Sequence, residues 1–143
     1  MDLYRHLFID GEYAERSRIL ADLDLDQVNH RPPGAPHSIY EELWHLARWQ
    51  HVMVYRDEEA HALWEQNGMF PTEQPTDVEQ WHALVREFQA GAEEALAWAA
   101  SPERMALETD PGITMADNLA SLAVHNAYHF GKIVAMRQQM GWW

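Results

Sequence analysis

Apolar residues recur at three- and four-residue intervals through four long stretches of the chain, and turn-forming residues separate them. In the first, over 3–22, Leu3, Leu7, Phe8, Ala14, Ile19 and Leu20 predict a helix that Asp10-Gly11 interrupts. The run from Asp24 to His37 reads as a loop, since Pro32, Pro33 and Pro36 deny the backbone helical hydrogen bonds and Gly34 permits a turn. Ser38 and Glu41 then stand at capping-box spacing and open a second helix, predicted from Ile39 to about Trp64. Its buried arc is Ile39, Leu43, Leu46, Trp49 and Met53, with His45 at the edge, at the angle of Val52 and Leu63.

Gly68, Pro71 and Pro75 make 65–75 a linker. Extended, it reaches roughly 36 Å, enough for a crossover as readily as for an antiparallel return. Thr76 with Glu79 predicts the third helix, whose seam is Val78, Trp81, Val85, Phe88, Ala92, Ala95 and Ala99, ended by Ser101-Pro102. An irregular segment containing Pro111-Gly112 follows. Thr114 with Asp117 opens the fourth helix and Gly141 closes it. No strand alternation is visible. The expectation is an all-α four-helix bundle, one domain over 1–143, with Trp142 and Trp143 folded on the bundle end or meeting a second subunit.

Composition narrows the function. At 143 residues with 7 Trp, 5 Tyr and 4 Phe, the chain can bury a core without staples. The absence of Cys removes disulfides, thiolate ligands and a protein-borne thiol nucleophile. A formal charge of −13 opposes a nucleic-acid or anionic-lipid surface. The N-terminus MDLYRHLF lacks the basic and apolar regions of a signal peptide, and no apolar run is long enough to span a membrane. The expected setting is therefore the cytoplasm.

The fourth helix carries the anomaly. Met115, Leu119, Leu122, Asn126, His129, Ile133, Met136 and Met140 share one face, so an amide and an imidazole interrupt an apolar stripe. His125 flanks the same stripe and is i, i+4 with His129, so both rings leave one side of the helix. Buried imidazoles require partners. Side-chain hydrogen bonds are one solution, and a metal ion is another.

His45 supplies a third imidazole from another helix. Three neutral nitrogens around one cation leave coordination positions open, as in a catalytic zinc site, where bound water approaches a pKa of about 7 or an anionic group such as a thiolate is held. Such ligands suit zinc, nickel, copper or iron(II), ligand type alone does not choose among them, and zinc or nickel is the expectation. Glu42, one turn before His45, and Asn126 are candidate supporting residues behind the ligands. A zincin is not expected, because Asn126 stands where H-E-x-x-H requires Glu. Glu42–His45, Glu58–His61 and Glu79–His82 have the spacing of a di-iron site, but the fourth helix offers no Glu to complete one. His6, His30, His51, His61 and His82 are expected to be solvated, and His37 to pack at the helix entry.

PPGAPHSIYEELWHLARWQ and LAVHNAYHFGKIVAMRQQMGWW together resemble the DinB-like (DinB/YfiT) metalloenzymes. The resemblance covers both His-bearing helices closely and the first helix loosely. It implies an up-down-down-up bundle, a divalent metal on His45, His125 and His129, and a homodimer. It also implies chemistry on a small-molecule substrate, thiol transfer or thiol-dependent isomerisation with a low-molecular-weight thiol cofactor, and hydrolysis at the three-His centre is the other enzymatic reading. A non-catalytic metal- or ligand-binding bundle is the alternative, and a plain helical dimer without metal is a third reading.

Overall fold

The computed structural model describes residues 2–143, and the chain is mostly helical. The N-terminal stretch is not one helix. It runs as α1 (Leu3–Arg5), a π-helical turn (His6–Asp10) and, beyond a bend, α2 (Arg16–Leu20). Gly11 causes the break: it sits at φ 68, where a Cβ would lie 2.8 Å from the Ala14 carbonyl oxygen. The expected 24–37 loop contains α3 (Leu25–Asn29), opened by a capping box of Asp24 and Gln27.

Next comes α4 (Ile39–Tyr55), with the Ser38–Glu41 capping box in place. It stops well before Trp64. Arg56 adopts a left-handed conformation at φ 56, and the Asp57 side chain caps a separate helix, α5 (Glu58–Gln66). Leu63 therefore leaves the buried arc and is exposed, whereas Val52 stays buried. The third predicted helix is α6 (Val78–Ala99), capped by Asp77 and Gln80, one residue later than the Thr76–Glu79 spacing suggests. Its inner face is Trp81, Leu84, Phe88, Gly91, Ala92 and Ala95, while Val78 is exposed.

A short α7 (Pro102–Met105) and a two-strand hairpin, β1 (Glu108–Asp110) with β2 (Ile113–Thr114), fill the expected irregular segment. The hairpin is too short for residue alternation to announce it. The last helix, α8 (Met115–Met140), matches its expected bounds, with the Thr114–Asp117 box at one end and Gly141 at φ 71 at the other. No helix among the described residues is long and apolar enough to cross a membrane.

Helix α4 packs against both α6 and α8. One apolar cluster joins α2 and α3 to α4, α6 and the C-terminal half of α8, through Ile19, Val28, Leu43, Leu46, Phe88 and Ile133. A second gathers Phe8, Val54, Ala95, Met115 and Leu119 at the other end. Fully burying side chains of this size contributes roughly 1.5–3 kcal/mol each.

Two polar devices pin these layers. Asn126 donates to Gln50 Oε1 at 2.9 Å, and Gln50 donates to the Phe88 carbonyl at 2.7 Å, so one buried chain crosses α8, α4 and α6. Gly91 makes room for it, since a Cβ there would stand 2.6 Å from Gln50 Nε2. Buried Arg137 donates to the carbonyls of Ile19, Ala21 and Trp142 at 2.6–3.0 Å, closing the end of α2 and holding the C-terminus back. Trp143 lies against Tyr13, with the Arg137 guanidinium over its ring, so both terminal tryptophans fold onto the chain itself.

Candidate metal centre

The three histidines meet. His45 comes from the second turn of α4, and His125 and His129 come from successive turns of α8. One ligand atom from each lies within 4.8 Å of the others. The Nε2 atoms of His45 and His125 are 3.0 Å apart. Two nitrogens bound to one first-row ion at about 2.1 Å stand roughly 3.0–3.4 Å from each other. The His45–His125 pair fits a divalent cation in both donor type and spacing, and His129 brings a third nitrogen within 4.8 Å. His45 and His129 are buried, and His125 is partly so.

Each ring has a different support behind it. The Nδ1–H of His129 donates to Glu42 Oε2 at 2.5 Å, leaving Nε2 with a free lone pair. The Nδ1–H of His45 donates to the Met69 carbonyl at 2.9 Å, with the same consequence. Among the described residues, Nδ1 of His125 is buried and has no hydrogen-bond partner. Two ligands are thus fixed in orientation by outer groups at Nδ1, whereas the third meets His45 through Nε2.

Glu42 is the electrostatic keystone of the cluster. Besides His129, its carboxylate accepts from Lys132 Nζ at 3.1 Å and from His37 Nδ1 at 3.3 Å. Burial by itself would raise the Glu42 pKa. The bonds from His129 and Lys132, together with the Lys132 charge, outweigh burial and hold it below the usual carboxylate value. A buried anion is therefore neutralised inside the bundle rather than left alone.

Burial pushes the His45 pKa down, partly opposed by its bond to Met69. Burial is also the main reason that His125 falls to about 4, and the neighbouring His129 and His45 add to the drop. Both rings are consequently neutral at pH 7, the form in which imidazole binds metals.

Asn126, expected behind the ligands, donates through Nδ2 to Gln50, and its Oδ1 has no hydrogen-bond partner among the described residues. Several neighbours of the site were not singled out by the sequence. The Phe70 ring stacks on His45 with centroids 4.7 Å apart, and on His37 at 3.7 Å. Trp64 from α5 stands 5.5 Å from His45 and stacks on Trp49. Tyr128, exposed, meets His129 edge to face, with Lys132 over its ring. A loop reading G-M-F-P carried the only sequence signal for the first of these, an apolar pair in a turn. His6, His51, His61 and His82 each lie beside a carboxylate on partly or fully exposed surface, and His30 is exposed against Trp142. None of these five joins the trio.

The DinB superfamily model matches residues 9–133, which include all three histidines. No curated protein and no solved structure matches the chain.

Proposed function

Because the chain belongs to the DinB superfamily, a metal-binding family, we propose that it is a divalent-metal-dependent enzyme acting on a small molecule. His45, His125 and His129 are its metal ligands, with zinc or nickel the leading ions and iron also compatible. Thiol transfer, with a low-molecular-weight thiol as cosubstrate, is the preferred reaction, and hydrolysis is the second. The observation that carries this reading is that His45 and His129 each offer Nε2 inward while an acceptor holds Nδ1 behind them.

The ion, when bound, would supply Lewis-acid stabilisation of a negatively charged oxygen or sulfur. The protein supplies the rest. His45 and His129 are held in one tautomer, so no ring must turn before binding. Glu42 places the negative charge of a buried carboxylate against the back of His129 and fixes the orientation of that ring. Lys132 keeps Glu42 ionised. Trp49 and Trp64 cover the α5 side with apolar surface, which lowers the local dielectric and strengthens charge interactions at the centre. No protein thiol competes for the ion, because the chain has no Cys.

A homodimer, which follows the family resemblance, and a cytoplasmic setting are part of this reading. The test is elemental analysis of untagged protein beside His45→Ala, then titration of the cobalt-substituted protein with small thiols. One divalent ion per chain, lost in the variant, and a thiol-dependent change in the cobalt spectrum are expected. Stoichiometric metal without any response to thiols would favour hydrolysis or the non-catalytic bundle. No metal in the wild type would overturn the proposal.

A further inference from the structure

We propose that the turn Gly68–Met69–Phe70 is the positioning element of His45, determining through one backbone carbonyl and one stacked ring which imidazole nitrogen faces the other two histidines. The inference rests on the metal-binding reading above for its consequence, though not for its geometry.

The logic begins at the end of α5. Gly68 and Met69 take consecutive left-handed conformations, at φ 69 and φ 70. Their N–H groups close the helix by donating to the carbonyls of Glu65 and Trp64 at 3.1 and 3.0 Å. Glycine adopts this conformation freely, whereas methionine does so only where the surroundings hold it. What holds it is visible. The Met69 carbonyl accepts the Nδ1–H of His45 at 2.9 Å, across 24 residues of sequence.

A backbone carbonyl can only accept, so Nδ1 must carry the hydrogen and Nε2 must carry the lone pair. Nε2 is also the atom that lies 3.0 Å from His125 Nε2. The carbonyl therefore decides which nitrogen is offered inward. Phe70 restricts the remaining freedom. Its ring lies within 13° of parallel to His45 and within 12° of parallel to His37, so rotation of His45 about its χ2 would drive it into the stacked ring.

Further along, the same segment is tied to the bundle. Gln74 donates to Glu41 Oε1 at 2.8 Å, and Asn29 donates to the Pro75 carbonyl at 3.0 Å. The strap is thus fixed on both sides of Phe70. The break between α4 and α5 acquires a purpose in this light: a single helix through position 64 could not turn a carbonyl back onto His45.

Two readouts test the proposal, one in the metal-free protein and one with cobalt. In metal-free wild type, ring nitrogen-15 NMR should show His45 as the Nδ1–H tautomer. Finding the Nε2–H tautomer there would overturn the inference, whatever any variant does. Phe70→Ala should populate both tautomers and weaken cobalt binding by roughly 10-fold or more, measured by chelator competition. Phe70→Tyr should restore both, whereas Phe70→Leu, which fills space without a flat ring, should not. Equal rescue by Leu and Tyr, or an unchanged tautomer and affinity in Phe70→Ala, would reduce Phe70 to packing and sink the proposal. Failure of wild type to bind cobalt would count against the metal-dependent function, while the tautomer measurement would still decide the positioning role.

Discussion

Glu42 and His129 lie 87 positions apart in the chain and meet in one short hydrogen bond, the imidazole Nδ1–H donating to carboxylate Oε2. The carboxylate is only 2 % exposed, so water cannot substitute for either partner. Glu42→Gln removes the charge while keeping the shape. Metal affinity should fall by about 10- to 100-fold, the usual cost of losing an outer partner of a ligand histidine. Chelator competition measures it, with circular dichroism confirming that the helices persist. Unchanged affinity would mean that the bond is structural.

Metal binding should also appear as stability. A ligand present at 100 times its dissociation constant stabilises the native state by about 2.7 kcal/mol. For a chain of this length that raises Tm by roughly 5–10 °C. Scanning calorimetry of stripped and zinc-loaded protein should show this rise in the wild type and none in His129→Ala. A similar rise in the variant would place the ion elsewhere.

Gly91 tests the polar chain across the helices. Replacing it with Ala gains roughly 1 kcal/mol of helix propensity. The new Cβ would also lie 2.6 Å from Gln50 Nε2 and 3.2 Å from its Cγ. Gln50 is fully buried and bonded at both ends, so it cannot swing aside without losing the Phe88 or Asn126 bond. Overpacking of about 1–3 kcal/mol plus a lost buried bond of about 1 kcal/mol outweighs the gain. Urea denaturation should report a net loss of about 1–3 kcal/mol, and a stabilised variant would refute the tight packing.

Glu41 sets an acid limit on folding. Its carboxylate is 3 % exposed and accepts from Arg31, Gln74 and the Ser38 N–H. Burial alone would raise its pKa, but the Arg31 and Ser38 bonds and the Arg31 charge carry it below 4.5. Because the folded value lies below the unfolded one, the stabilisation is complete above pH 4.5 and is lost as pH falls through the folded pKa. Wild type should therefore exceed Glu41→Gln in stability at pH 7. That gap should narrow in chemical denaturation series run below pH 4.5. A gap independent of pH would assign the effect to shape rather than charge.

Several features of this protein were readable from the chain alone because they are local. Helix α8 was bounded correctly at both ends, since a Thr–Asp capping box and a terminal glycine act within a single turn. The polar break in its stripe exposed His125, Asn126 and His129, and the edge of the α4 arc exposed His45. Membership of one metal-binding family was legible in those same two helices.

Other features depended on what the segments meet in space. Periodicity carried α4 past Arg56 because the apolar pattern continues through a backbone reversal that depends on φ and not on side-chain order. Glu42 and Asn126 were equal candidates behind the ligands. Only packing bonded Glu42 to His129 and tied the Asn126 amide to Gln50. The partner of His45 is a main-chain carbonyl, which every residue possesses, so no residue type could have marked position 69. Side-chain chemistry is written in the sequence, whereas the direction of a carbonyl is decided by the turn that carries it.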